Sequence, residues 1–150
     1  MILTTHLLIG VLMAFELNSN IRDRAAEENG SWMEYDEDVS FLVARKSNSK
    51  YKSYISKQYR ENERALSKED SKLAEKLSEK VMLEATAVHL LLDWKGVTLD
   101  GELVKYSEPL AKELMEEHDD LRADIEQYAD NRDNYLLEKD AKDAKNLKKS

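Results

Sequence analysis

This 150-residue chain predicts a mainly α fold: a helical domain of about four helices, with a small N-terminal β element and a short hairpin near Asp100-Gly101. Three observations predict it. Apolar residues recur at three- and four-residue steps over most of the length. Only four Gly and one Pro interrupt the chain, so its breaks are few and its helices long. One short run, VSFLVAR, alternates instead, and is the best strand candidate. At this length one domain is expected, with residues 13–138 as its helical body, residues 1–12 as an upstream extension or leader-like segment, and residues 139–150 as a flexible charged tail.

The first stretch, MILTTHLLIGVLMAFELNS, is apolar through Phe15, and the first basic residue is Arg22. A signal peptide needs a basic start and a small-residue cleavage site, and neither is present. The run is also shorter than the roughly 20 residues that span a bilayer. It reads either as a packed first turn or as residues upstream of a start at Met13. The next segment, RDRAAEENGSWMEYDED, is polar and carries the turn signal Asn29-Gly30. Val39, Phe41 and Val43 then share one face of a strand, and Trp32, Met33 and Tyr35 can form its partner across Asp36-Glu37-Asp38.

Asn48 or Ser49 caps the following helix by satisfying the free amides of its first turn. Tyr51, Ile55 and Tyr59 recur along one face, with Tyr54 beside them. Ser67-Lys68-Glu69-Asp70 resembles a capping box, from which a long helix is expected to about Trp94 through Leu73, Leu77, Val81, Ala85, Val88 and Leu92. Gly96 supplies its stop. Asp100-Gly101, with apolar residues on both sides, is a strong hairpin signal. Ser107 caps another helix that tolerates Pro109 in its first turn. Asp119 or Asp120 opens the last one, where Leu121, Ile125, Tyr128 and Tyr135 form the apolar-aromatic face.

Chemistry is sparse. There is no Gly-rich phosphate loop, and the absence of Cys excludes disulfides and thiolate metal ligation. The three histidines, His6, His89 and His118, are far apart. His118-Asp119-Asp120 reads as a solvated helix junction, because consecutive helical residues point apart, and His89 as a core histidine. No enzyme activity, cofactor or metal is expected. The charge is segregated. Arg45, Lys46, Lys50, Lys52, Lys57 and Arg60 lie with three tyrosines and no acid between them. Basic side chains among rings are what a single-strand nucleic-acid binder uses, although the tyrosines follow helical spacing and read better as core. Nine acidic residues against two arginines follow between Glu113 and Asp133. A net charge of -8 argues against the whole chain embracing nucleic acid.

Leu91-Leu92-Asp93-Trp94-Lys95-Gly96-Val97, then Asp100-Gly101-Glu102, then Tyr106-Ser107, resembles the "W-x-G-V … D-G-x … P-Y-S/T" pattern of the tail assembly chaperones of tailed bacteriophages, also described as minor tail or tape-measure chaperone proteins. The resemblance covers roughly Glu34 to Ser150 and departs at Lys105, where the pattern carries Pro. It marks Trp94, Gly96, Val97, Asp100, Gly101 and Tyr106 as the family-motif residues. It implies a non-enzymatic protein that binds the tape-measure protein, and in turn tail-tube subunits, and keeps that long chain soluble in the host cytoplasm. Such a protein is absent from the mature virion and needs no membrane. Leu121, Ile125, Tyr128 and Tyr135 are the expected partner face, unless they close the protein's own core. The alternative is a small phage nucleic-acid-associated or regulatory protein acting through Arg45 to Arg60. The number of copies stays open, a homo-oligomer included.

Overall fold

The computed structural model describes residues 14–67 and 71–137. Residues 1–12, the Lys68–Asp70 part of the capping box and the 139–150 tail lie outside the described residues. The described chain runs α1 (Arg24–Asn29), β1 (Ser31–Asp36), β2 (Val39–Val43), α2 (Ser49–Glu61), α3 (Glu63–Ser67), α4 (Ser71–Ala85), a π-helical turn (Thr86–Leu90), β3 (Leu91–Lys95), β4 (Thr98–Leu99), β5 (Glu102–Leu103), α5 (Glu108–Glu117), α6 (Asp119–Asp130) and a 3₁₀ turn (Arg132–Tyr135).

The fold is therefore mixed α/β, not the mainly α domain of about four helices that periodicity predicts: among the described residues six α-helices accompany a three-stranded antiparallel sheet and a two-stranded one. The difference lies in two places. Asp23 caps α1 by accepting a bond from the Ala26 amide, and Gly30 ends it with φ +97°, so a six-residue helix fills a stretch that reads as a polar loop. More consequentially, the long helix stops at Ala85. The π-helical turn closes with the Leu91 amide donating to the Thr86 carbonyl, and the chain then runs extended as β3 to Lys95.

Tertiary pairing overrides local propensity there. An isolated two-stranded hairpin is marginal in water, and β1–β2 gains a third strand when β3 pairs with β2, setting Phe41 opposite Trp94 and Val43 opposite Leu91. The order is β1-β2-β3, and both β1–β2 and the β4–β5 hairpin stand where the sequence places them. One sheet face packs on the helices through Met33, Phe41, Val43, Leu91 and Trp94, against Ala111, Met115, Ile125 and Ala129.

Several polar bonds tie distant elements to this core. Asn48, 2 % exposed, caps α2 by accepting from the Tyr51 amide at 2.9 Å, and its Nδ2 donates to the Arg45 and His89 carbonyls. Glu27 is a buried carboxylate that accepts from Arg22 Nε at 2.9 Å and Arg45 Nη1 at 2.7 Å. The chain's two described ends meet where the Asp23 amide donates to the Tyr135 carbonyl and the Leu137 amide to the Ile21 carbonyl.

Candidate functional site

The glycine-rich stretch after β3 folds as one corner. Gly96 holds φ +79°, and a Cβ there would sit 2.0 Å from the Asp38 carbonyl oxygen, so its missing side chain is what lets the β1–β2 turn come close. It is thus a close-approach glycine beyond a strand, not a helix stop. Val97 then packs on the core, and its carbonyl accepts from the Val104 amide at 3.0 Å, closing the neck of the hairpin. At the tip, Asp100 and Gly101 have φ +51° and +82°. Two consecutive positive values make a type I′ turn, whose twist suits a two-residue hairpin.

Two aromatic side chains pin this hairpin to the body. The Trp94 indole donates to the Val104 carbonyl at 2.8 Å, and its ring meets Tyr106 edge-on at 5.1 Å. The Tyr106 hydroxyl donates to the Ala87 carbonyl in the π-helical turn at 2.9 Å. Burial, then the nearby Glu108 and Asp93 charges, push the Tyr106 pKa up to about 12, so it stays a hydrogen-bond donor at neutral pH. Ser107 next caps α5, its hydroxyl accepting from the Leu110 amide at 3.3 Å. The six motif residues come together as a structural unit.

That unit leaves an uncovered apolar surface. Leu99 is 51 % and Leu103 76 % exposed. Between the hairpin and α5 lies a cleft of about 150 Å³, floored by Trp94, Val97, Val104, Leu110 and Leu114 and edged by Leu99. Glu113, Glu117 and His118 line its rim. Leu99 and Leu103 are the residues that sequence reasoning missed. Their signal was an aliphatic residue on each side of a turn whose strands, at two residues each, are too short to bury both faces.

The expected partner face is occupied by the protein itself. Leu121, Ile125 and Tyr135 are buried, Ile125 and Tyr135 completely. Tyr128 is half-buried, sharing a 2.8 Å bond with Ser31 and donating to the Trp32 carbonyl at 3.1 Å. The Tyr135 hydroxyl donates to the Val43 carbonyl at 3.0 Å. These four side chains close the core against β1 and β2 instead of standing free for a partner.

The basic segment is likewise partly committed. Arg45 binds Glu27, and Lys57 lies 4.0 Å from Glu61 one turn on. Lys46 is half-buried, and Lys50, Lys52 and Arg60 are exposed. Tyr51 is buried. Tyr54 donates to Glu84 at 2.6 Å and packs 5.0 Å from the His89 ring, and Tyr59 bonds Ser78 at 3.1 Å. The rings are tied to α4 and the core, so no row of free aromatic faces accompanies the lysines. His118 forms the α5–α6 junction, its amide donating to Leu114 and its carbonyl accepting from Arg122. Among the described residues no group of three or more acidic or histidine side chains is placed to hold a metal ion, and no helix is long and apolar enough to cross a membrane.

Residues 46–146 match the family model described as YdaY prophage protein. The match takes in about two thirds of the chain, including β3, the hairpin corner, α5 and α6. No curated protein and no solved structure matches. The chain belongs to the YdaY prophage family and is a phage-related protein.

Proposed function

We propose that this prophage-family protein is a tail assembly chaperone: a binding protein without catalytic activity or cofactor that holds the tape-measure protein soluble in the host cytoplasm during tail morphogenesis and leaves before the virion is complete. The observation that carries the reading is the corner formed by Trp94, Gly96, Val97, Asp100, Gly101 and Tyr106. These are the residues through which the chain resembles the chaperones, and they fold as one unit whose effect is to present an aliphatic hairpin beside an apolar cleft. Such a surface suits capture of an amphipathic segment. The strongly acidic surface of a chain of net charge -8 supports solubility of the protein and its cargo.

The perturbed groups support binding over chemistry. Tyr54, Tyr106 and Tyr135 are all pushed up chiefly by burial, and each spends its hydroxyl on a structural bond. The test is co-expression with the long tape-measure reading frame of the same prophage. The tape-measure product should move from the insoluble to the soluble fraction and co-purify with this chain. A product that stays insoluble, or is soluble without this chain, rejects the reading.

A further inference from the structure

The geometry points to the cleft between the β4–β5 hairpin and α5 as a docking surface for an amphipathic helix, which seats one aliphatic or aromatic side chain on Trp94, Val97, Leu99 and Leu114 and sets Lys or Arg against Glu113 and Glu117. That the helix belongs to the tape-measure protein rests on the chaperone reading; the site itself does not.

Size selects the anchor. Drug-sized ligands occupy pockets of roughly 300–1,000 Å³, and this cleft has about 150 Å³. A cavity of that order accepts a group the size of benzene, which is one leucine or phenylalanine side chain. Apolar burial supplies the attraction. Leu99, at the edge of the cleft, is 51 % exposed, and about 25 cal/mol is gained per Å² of such surface covered.

Charge selects the flanks. Glu113 and Glu117 are exposed one helical turn apart on the rim, and Asp100 and Glu102 lie on the hairpin above. Among the described residues no Lys or Arg lines the cleft. A second copy of this chain would bring its own acids against these, whereas a Lys- or Arg-flanked helix meets complementary potential.

The test uses the full chain and two probes. In the first arm, an amphipathic Leu/Lys peptide helix is titrated while backbone amide shifts are followed by NMR. Shifts should centre on residues 97–104 and 110–118, and be lost when the peptide carries Ala for Leu. Leu99→Glu, and Glu113→Lys with Glu117→Lys, should each weaken binding about tenfold or more, with unchanged circular dichroism because all three side chains are exposed. Absence of binding, shifts centred elsewhere, or variants that bind like the wild type overturn the proposal. So does a concentration-dependent dimer that Leu99→Glu abolishes, which would give the cleft to a second copy. In the second arm, the same variants are co-expressed with the tape-measure protein. Rescue of its solubility by wild type and variants alike rejects the cleft and leaves the chaperone function standing. Peptide binding at the cleft without rescue by the wild type rejects the function and leaves the cleft.

Discussion

Two glycines five residues apart in the same corner answer to different forces. Gly96 has no room for a side chain, because the Asp38 carbonyl stands where a Cβ would be. Gly101 has open space around it and only its positive φ to satisfy. Gly96→Ala therefore pulls the β1–β2 turn away from β3 and should cost about 3 kcal/mol or more. Gly101→Ala should cost only about 1 kcal/mol, the strain of the left-handed region. Urea unfolding of the two variants checks this, and equal losses would contradict it. Buried titratable groups make a second residue-level case. Glu27 is held below its ordinary value, first by the Arg22 hydrogen bond and against the pull of burial, with Arg45 adding to the lowering. Burial holds His89 down, with Glu108 opposing and Lys50 assisting. The unfolded His89 takes a proton below about pH 6.5 that the folded one resists, so stability starts to fall there. The Glu27 contribution is complete above the ordinary carboxylate pKa of about 4.3 and is lost as pH falls through the lowered folded value. Acid destabilisation should thus come in two stages, measured as unfolding free energy against pH. His89→Gln should flatten the upper stage and Glu27→Gln the lower one; a wild-type profile level from about pH 7 to 5 would refute the first.

At the scale of the element, α6 and its 3₁₀ turn form part of the core. Ile125→Ala should cost about 3 kcal/mol through the cavity it leaves, and Tyr135→Phe about 1 kcal/mol by depriving the Val43 carbonyl of its donor. Leu103→Ser, on the exposed hairpin, should stay within about 0.5 kcal/mol of wild type. Denaturant midpoints measure all three, and a neutral Ile125→Ala would mean that α6 does not pack as described. The helical spacing of Leu121, Ile125 and Tyr128 announces an apolar face, but spacing is the same whether the face meets a partner or the chain's own sheet. What covers it is a long-range fact, supplied here by β1 and β2 about ninety residues earlier, as in the Ser31–Tyr128 bond. The same limit explains β3. Leu90, Leu91 and Leu92 continue a helical stripe, and only the unpaired edge of β2 makes extension preferable. Local signals were legible where the cause is local: Asp100-Gly101 for a type I′ turn, Asn48 and Ser107 for caps, and the alternation of Val39, Phe41 and Val43 for a strand. The cleft was not legible, because it is made by α5 standing under a hairpin.

For the whole molecule, the family match and the folding unit have different limits. The match begins at Lys46, immediately after β2, and leaves α1, β1 and β2 outside. Yet Phe41 and Val43 are 2 % and 0 % exposed, β3 takes its ladder bonds from β2, and Tyr135 donates to Val43. Even the first matched residue is held from the far end, its amide donating to the Ala129 carbonyl. Removing residues 1–45 would expose Leu91 and Trp94, leave β3 as an unpaired extended segment, and orphan the Tyr135 hydroxyl within an apolar environment. Each is a substantial loss against a total stability of only about 5–15 kcal/mol for a domain. A fragment of residues 46–150 is therefore expected to keep its helical far-ultraviolet signal while losing fixed aromatic packing, as expanded compact states do. The near-ultraviolet signal of Trp94 and Tyr106 should vanish, and thermal unfolding should lose its cooperative step. The full chain should instead melt in one transition, because one core joins the sheet to α5 and α6. A fragment that melts sharply near the full-length midpoint would show that the helices and the hairpin corner fold without the N-terminal strands, and would make β1 and β2 an attachment to the domain instead of two of the three strands of its sheet.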